Sequence, residues 1–206
     1  MNTVTLRKKH PWEWEHGRLR QSRDKSKKAD VVIKVGGSLF STSGWQHAVQ
    51  SLIADEALSS HLVVVIAGGG ALVDGLRLID SNSSLPPPLM HDLALEAMGI
   101  TAQFLASTLK LPLREEVGED SPFVLNIRKQ GTGANAITSF PHSWETTSDS
   151  IAAAVASVLG AGLLLVKSIR PPTLDVESLT YTGWVDPHFQ KACIALEDIR
   201  WAAPKQ

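Results

Sequence analysis

Val31-Val32-Ile33-Lys34-Val35-Gly36-Gly37-Ser38 is the stretch on which the fold turns. Its β-branched run predicts a strand buried on both faces, and the glycines close it in a tight loop. Leu62 to Ala67 repeats the pattern and runs into Gly68-Gly69-Gly70. After each loop the apolar residues return at helical spacing. Trp45, Val49, Leu52 and Ile53 follow the first loop; Val73, Leu76 and Ile79 follow the second. Strands alternating with helices predict an α/β fold, a three-layer αβα sandwich around a mostly parallel central sheet.

Working outward, Pro86-Pro87-Pro88 reads as a stiff break, and Met90 to Leu109 has the composition of a long helix despite Gly99. Phe123 to Ile127 reads as a strand, and Gln130-Gly131-Thr132-Gly133 as a loop. Ser148 or Asp149 is placed to cap a helix with apolar positions Ile151, Val155, Val158 and Leu159. Leu163 to Val166 returns as a strand. Ser150 to Val166 is uncharged, but Gly160 and Gly162 lie inside it and it is short for a membrane span. A helix running into a buried strand explains it.

Residues 1–29 carry nine Lys or Arg against Glu13, Glu15 and Asp24, without sustained periodicity. They read as a basic, flexible extension, and residues 30–206 as a single domain. Trp12 and Trp14 are unusual in a solvated arm and are expected to dock on the domain or on a partner. A net charge of −1 gives no overall pull towards nucleic acid or anionic membrane. The single cysteine, Cys193, permits no intrachain disulfide, and no apolar run of a secretory signal opens the chain. Both fit a cytoplasmic protein.

Two strands that run into glycines and then helices present backbone N–H groups and positive helix ends to an anion. One such loop is often only a turn; two on one sheet point to phosphate. The common nucleotide motifs are missing. There is no G-x-x-x-x-G-K-[ST], and Gly68-Gly69-Gly70-Ala71-Leu72-Val73 lacks the third glycine of the dinucleotide fingerprint. No histidine spacing suggests a zinc site, and no G-x-S-x-G marks a hydrolase. Lys34 interrupts an otherwise apolar strand beside the first loop, where an unpaired ammonium is costly. It either reaches solvent at the strand end or is a cation aimed at a phosphoryl group.

Ile33-Lys34-Val35-Gly36-Gly37-Ser38-Leu39 resembles the first signature of the amino acid kinase superfamily, which includes acetylglutamate, aspartate, uridylate and isopentenyl phosphate kinases. Ala67-Gly68-Gly69-Gly70 resembles the second, and Thr147-Ser148-Asp149-Ser150-Ile151-Ala152 with Leu164-Leu165-Val166-Lys167 the third. The similarity spans about residues 30 to 190. Within the superfamily, His91-Asp92-Leu93-Ala94, Ala97-Met98 and Val185-Asp186-Pro187-His188-Phe189 look closest to small kinases of methanofuran biosynthesis, which act on an aminomethylfuran methyl phosphate.

The resemblance implies an ATP-dependent kinase with a small-molecule acceptor, phosphorylated or carboxylate, and magnesium carried by the nucleotide. It implies catalytic roles for Lys34, Asp149 and Lys167, and nucleotide contacts from Gly36, Gly37, Ser38 and Ser150. Gly68, Gly69 and Gly70 would face the acceptor, with Asp74, Arg77 and Asp92 binding it and His91 beside them, although a solvated helix face explains those four side chains equally well. After Lys167 the text Ser168-Ile169-Arg170-Pro171-Pro172 departs from the aspartate-glycine turn of many members. A catalytically silent ligand-binding protein of the same fold is the alternative. By family habit the chain is a homodimer, with the 90–109 helix as candidate interface and no nucleic-acid or membrane partner.

Overall fold

The structure is a computed structural model that describes residues 12–21, 30–83, 85–119, 121–129 and 141–205. The expected loop at Gln130 to Gly133 lies outside these residues, as do the basic residues from Arg7 to Lys28 other than Arg18 and Arg20. Strands β1 (Trp14–Arg20), β2 (Val31–Val35), β3 (Val63–Ala67), β4 (Leu113–Arg114), β5 (Phe123–Leu125), β6 (Gly162–Val166) and β7 (Ile199–Pro204) form one sheet. Their order is β1-β7-β6-β2-β3-β5-β4, parallel throughout except for β1. The helices are α1 (Trp45–Ser59), α2 (Gly70–Ser83), α3 (Pro87–Leu109), α4 (Ser148–Leu159), α5 (Val176–Tyr181) and α6 (Phe189–Ala192).

Alternation along the buried strands sorts side chains to two faces. Val31, Ile33 and Val35 of β2 join a core with Trp45, Val49 and Leu52 of α1 and Leu105 of α3. Val32 joins the opposite core, with Ile151 and Val155 of α4 and Phe189 of α6. Apolar cores on both faces make the expected three-layer sandwich. By the same period Lys34 shares the face of Val32 and points towards α4 rather than α1.

Several local readings need adjustment. Pro86-Pro87-Pro88 starts α3 rather than breaking the chain, because proline fits the first helical turn, where its missing N–H is not needed. The strand after Pro122 ends at Leu125, and Ile127–Lys129 is a 3-10 turn. Ile79 of α2 is exposed. The largest correction concerns residues 14–20. Expected within the flexible extension, they form β1 and pair antiparallel with β7. Trp14 donates its indole N–H to the Ala48 carbonyl, and Trp12 packs with it against the α1 core. Arg20 donates to the carbonyls of Cys193, Ile194 and Leu196. The strand was hidden because it is a half-exposed edge, and its stabilising partner lies at the other end of the chain.

In the sheet order, β6 lies on one side of β2 and β3 on the other, so the connections diverge at β2. Open parallel sheets bind ligands at the carboxyl ends of strands at such a switch point. Backbone hydrogen bonds carry the sheet past those ends: Gly68 N–H donates to Val35, Gly36 N–H to Val166 and Lys167 N–H to Ala202. Both glycine loops and Lys167 therefore meet at one place.

Candidate active site

A cleft of about 240 Å³ opens over these strand ends. Lys34, Gly37, Ser38 and Gly68 to Gly70 form one part of its wall, and Asp149, Ser148 and Thr147 of the α4 start form another. The glycines are needed for close approach. A Cβ on Gly37 would lie 2.1 Å from the Gly70 nitrogen, and one on Gly69 2.1 Å from a Val73 methyl. Gly70 also has a positive φ of 55°, which favours glycine. The two loops thus touch backbone to backbone. Gly37→Ala is expected to lower stability by about 3 kcal/mol, the upper end for overpacking. A urea midpoint within error of wild type would show that the loops separate freely.

Lys34 and Asp149 are 4% and 5% exposed, so neither reaches solvent. The solvent-facing alternative for Lys34 is thereby excluded. Its ammonium lies 2.8 Å from Asp149 Oδ1, and the Lys167 ammonium lies 2.7 Å from Oδ2. The Lys167 contact is an aligned hydrogen bond, whereas Oδ1 receives no well-aligned one among the described residues, leaving the Lys34 contact chiefly an ion pair. Lys167 also donates to the Trp184 carbonyl at 3.1 Å and lies 5.5 Å over the Trp201 ring. One carboxylate therefore joins the ends of β2 and β6 through two cations.

Burial by itself would raise the Asp149 carboxyl, but Lys167 and Lys34 overcome it and hold the group down at about 2. For Lys167 burial is the larger influence. Together with the Lys34 charge it lowers the ammonium from 10.5 to about 8 against the pull of Asp149. The folded state thus disfavours the charged lysine. Below pH 8 both folded and unfolded chains hold this proton, and the cost is constant. Between about 8 and 10.5 the unfolded chain holds more of it, so stability should rise with pH, by about 3 kcal/mol in all. Turnover that needs the Lys167 cation should fall over the same interval. Urea unfolding and kcat measured across pH 7–10.5 check these opposite trends, and the stability rise should vanish in Lys167→Met.

The remaining expected residues divide. Asp74 and Arg77 line the cleft, with the Arg77 guanidinium 5.0 Å over the Trp144 ring and 3.4 Å from Asp74. Gly36 stands behind the first loop, where a Cβ would come within 3.0 Å of the Val166 carbonyl. Two residues are placed differently. Ser150, expected at a nucleotide, is fully buried, and its hydroxyl donates to Asp186, so it supports the α4 start instead of lining the cleft. Asp92 is mostly exposed and faces His142 at 4.0 Å, because the preceding position on the helix, His91, takes the inward direction.

His91, weighed in the sequence beside Asp92, lines the cleft, whereas Trp144 and Thr146 were missed. His91 is buried in the cleft wall and stacked on His142 with centroids 4.9 Å apart; burial first, then His142, lowers its pKa. Trp144 donates to Asp80 at 2.8 Å. The Thr146 hydroxyl is buried in the cleft wall without a protein partner among the described residues. No spacing announces Trp144 or Thr146.

A uridylate kinase from Archaeoglobus fulgidus has a similar structure, with a TM-score of 0.57 at 16% identity over 86% of this chain and 91% of that one. An aspartate kinase from Synechocystis gives 0.54 at 17% identity, over 85% of this chain and 40% of that one. The likeness at these identities is one of fold, and it is the amino acid kinase fold that the three glycine and aspartate signatures imply. No protein-family model matches the sequence, and no curated protein matches it.

Proposed function

We propose that the chain is a phosphotransferase that moves the γ-phosphoryl group of ATP to a small acceptor bearing a phosphate or carboxylate. The observation that carries this reading is the Lys34–Asp149–Lys167 cluster at the foot of a glycine-walled cleft. Buried cations held by one carboxylate contribute little to stability and are suited to developing negative charge. The cleft fits polyphosphate on a further count, since the Thr146 hydroxyl buried in its wall lacks a protein partner among the described residues.

ATP, when bound, supplies the transferable phosphoryl group, with magnesium carried on its oxygens. Lys34 and the backbone of Gly37 and Ser38 would hold the phosphates and balance charge on the transferring group, with Gly36, whose N–H donates to Val166, supporting the loop from behind. Asp149 would keep both ammonium groups aimed rather than attack, and Lys167 would balance nucleotide charge. Phosphoryl transfer depends on such positioning and electrostatics more than on covalent help.

The outer cleft suits the acceptor. Arg77, half-exposed in the cleft wall and over the Trp144 ring, is placed to take a phosphate or carboxylate, and Trp144 and His91 offer planar surfaces. An aminomethylfuran methyl phosphate, which would become a diphosphate, combines these features and is the first acceptor to test. The reading includes a homodimer through α3, along which Leu89, Leu93, Ile100 and Phe104 are exposed. Sedimentation tests that part.

ADP release from magnesium ATP, measured over a panel of phosphomonoester and carboxylate acceptors, tests the function. Turnover with one class supports it. Thermal stabilisation by ATP without turnover on any acceptor would instead make the chain a nucleotide-binding protein.

A further inference from the structure

The connection between β6 and β7 brings in a second buried carboxylate that the proposed transfer leaves without a task. Asp186 Oδ2 accepts from the Thr147 amide at 3.1 Å, the Thr147 hydroxyl at 2.7 Å and the Ser150 amide at 3.0 Å. Its Oδ1 accepts from the Ser150 hydroxyl and from the His188 amide at 3.1 Å. Thr147, the N-cap of α4, makes no capping bond with its own side chain. A carboxylate from a distant segment therefore caps this helix, where the first amides have no intrahelical acceptor. Asp149 sits between the two residues so clasped. Two positions before Asp186, the Trp184 carbonyl accepts from the Lys167 ammonium. One short segment thus holds both the helix end that presents Asp149 and the cation that Asp149 meets.

We propose that Asp186 is a positioning residue for the Lys34–Asp149–Lys167 cluster, fixing the α4 start so that Asp149 reaches both lysines and placing a second negative charge behind Lys167. The buried group then contains two cations and two anions, where without Asp186 it would carry an uncompensated positive charge. An anion at the α4 N-terminus also complements the helix dipole and closes that end to a ligand phosphate. Phosphate binding is left to Lys34 and the glycine loops. The groups facing Lys167 are Asp149 from α4, Lys34 from β2, Asp186 and the Trp201 ring from β7.

The proposal rests on the phosphotransferase reading only in calling the cluster catalytic, so its test reads the cluster directly. Lysine side-chain NMR, with the Lys167 signal assigned by its loss in Lys167→Arg, follows the titration in wild type and in Asp186→Asn. Asparagine keeps the shape and removes the charge. The Lys167 midpoint, about 8 in the wild type, is expected to fall by about half a unit or more in the variant. If Asp186 only props the helix, its loss admits water to Lys167, and the midpoint stays or rises towards that of free lysine; this overturns the proposal. Where turnover is found, the alkaline limb of kcat should move down with the midpoint. Should Asp186→Asn fail to fold, amide exchange in the wild type decides. The Thr147 and Ser150 amides should exchange slowly although first-turn amides lack helical partners, and open-chain exchange rates would refute the clasp.

Discussion

Replacing Lys34 by methionine is expected to lower kcat about 10³-fold, the scale on which a preorganised charge stabiliser acts in acyl or phosphoryl transfer. Stability should fall by only about 1–2 kcal/mol, because methionine fills the space of the lysine stem and Asp149 keeps a partner in Lys167 at 2.7 Å. The imbalance between the two effects is the diagnostic feature. Lys34 sits in a strand whose other four residues are buried and apolar, so a cation there is a poor choice for folding alone. Removing it also removes a like charge that lowers Lys167, whose ammonium should titrate higher in the variant. Arginine should not restore turnover, since its planar, longer head cannot occupy the place of a compact ammonium beside Gly68 and Asp149. Steady-state kinetics with magnesium ATP, urea unfolding and lysine NMR measure the three effects. Near-normal turnover in Lys34→Met would remove this residue from the chemistry.

Lys34 was legible because it violates its surroundings: one charge in a β-branched run next to glycines. The sheet around it was legible for a related reason, since strands buried on both faces have no polar alternation to obscure them. Asp149 and Lys167 were found through resemblance, because their meeting with Lys34 joins three elements far apart in sequence. Nothing in Ser148-Asp149-Ser150 distinguishes a relay from an ordinary helix start. The same stretch misled at Ser150, whose hydroxyl faces inward to a carboxylate that comes from beyond β6. Asp186 was quoted only as part of a family-like run, since a capping carboxylate in the connection before β7 has no local signature. Edge strand β1 was hidden by basic composition and half-exposure. Strands β1 and β7 stabilise one another across nearly the whole chain, and such pairings leave the weakest local trace.

Replacing Asp149 by asparagine should do what the Lys34 change does not, and damage fold and turnover together. Two ammonium groups would then face one another in a buried site with no intervening anion. Breaking a buried pair from one side costs about 3–5 kcal/mol, a large share of the stability of a domain this size. The acid side of the stability profile should change as well. The folded carboxyl lies at about 2, below its ordinary value of 3.8, so its contribution is present above 3.8 and lost as pH falls towards 2. That acid loss should be smaller in Asp149→Asn. On the alkaline side, Lys167 loses the attraction that opposed burial and should titrate below about 8. Stability should therefore begin to rise at a lower pH than in wild type. Replacing the whole buried group, as Lys34→Met with Asp149→Leu, Lys167→Met and Asp186→Asn, should return stability to within about 2 kcal/mol of wild type, because uncharged groups of similar volume substitute well for buried ions. It should restore no turnover. Recovery of the fold without recovery of activity would show that these charges are kept for chemistry, whereas a quadruple variant less stable than Asp149→Asn would mean that the sheet itself depends on them.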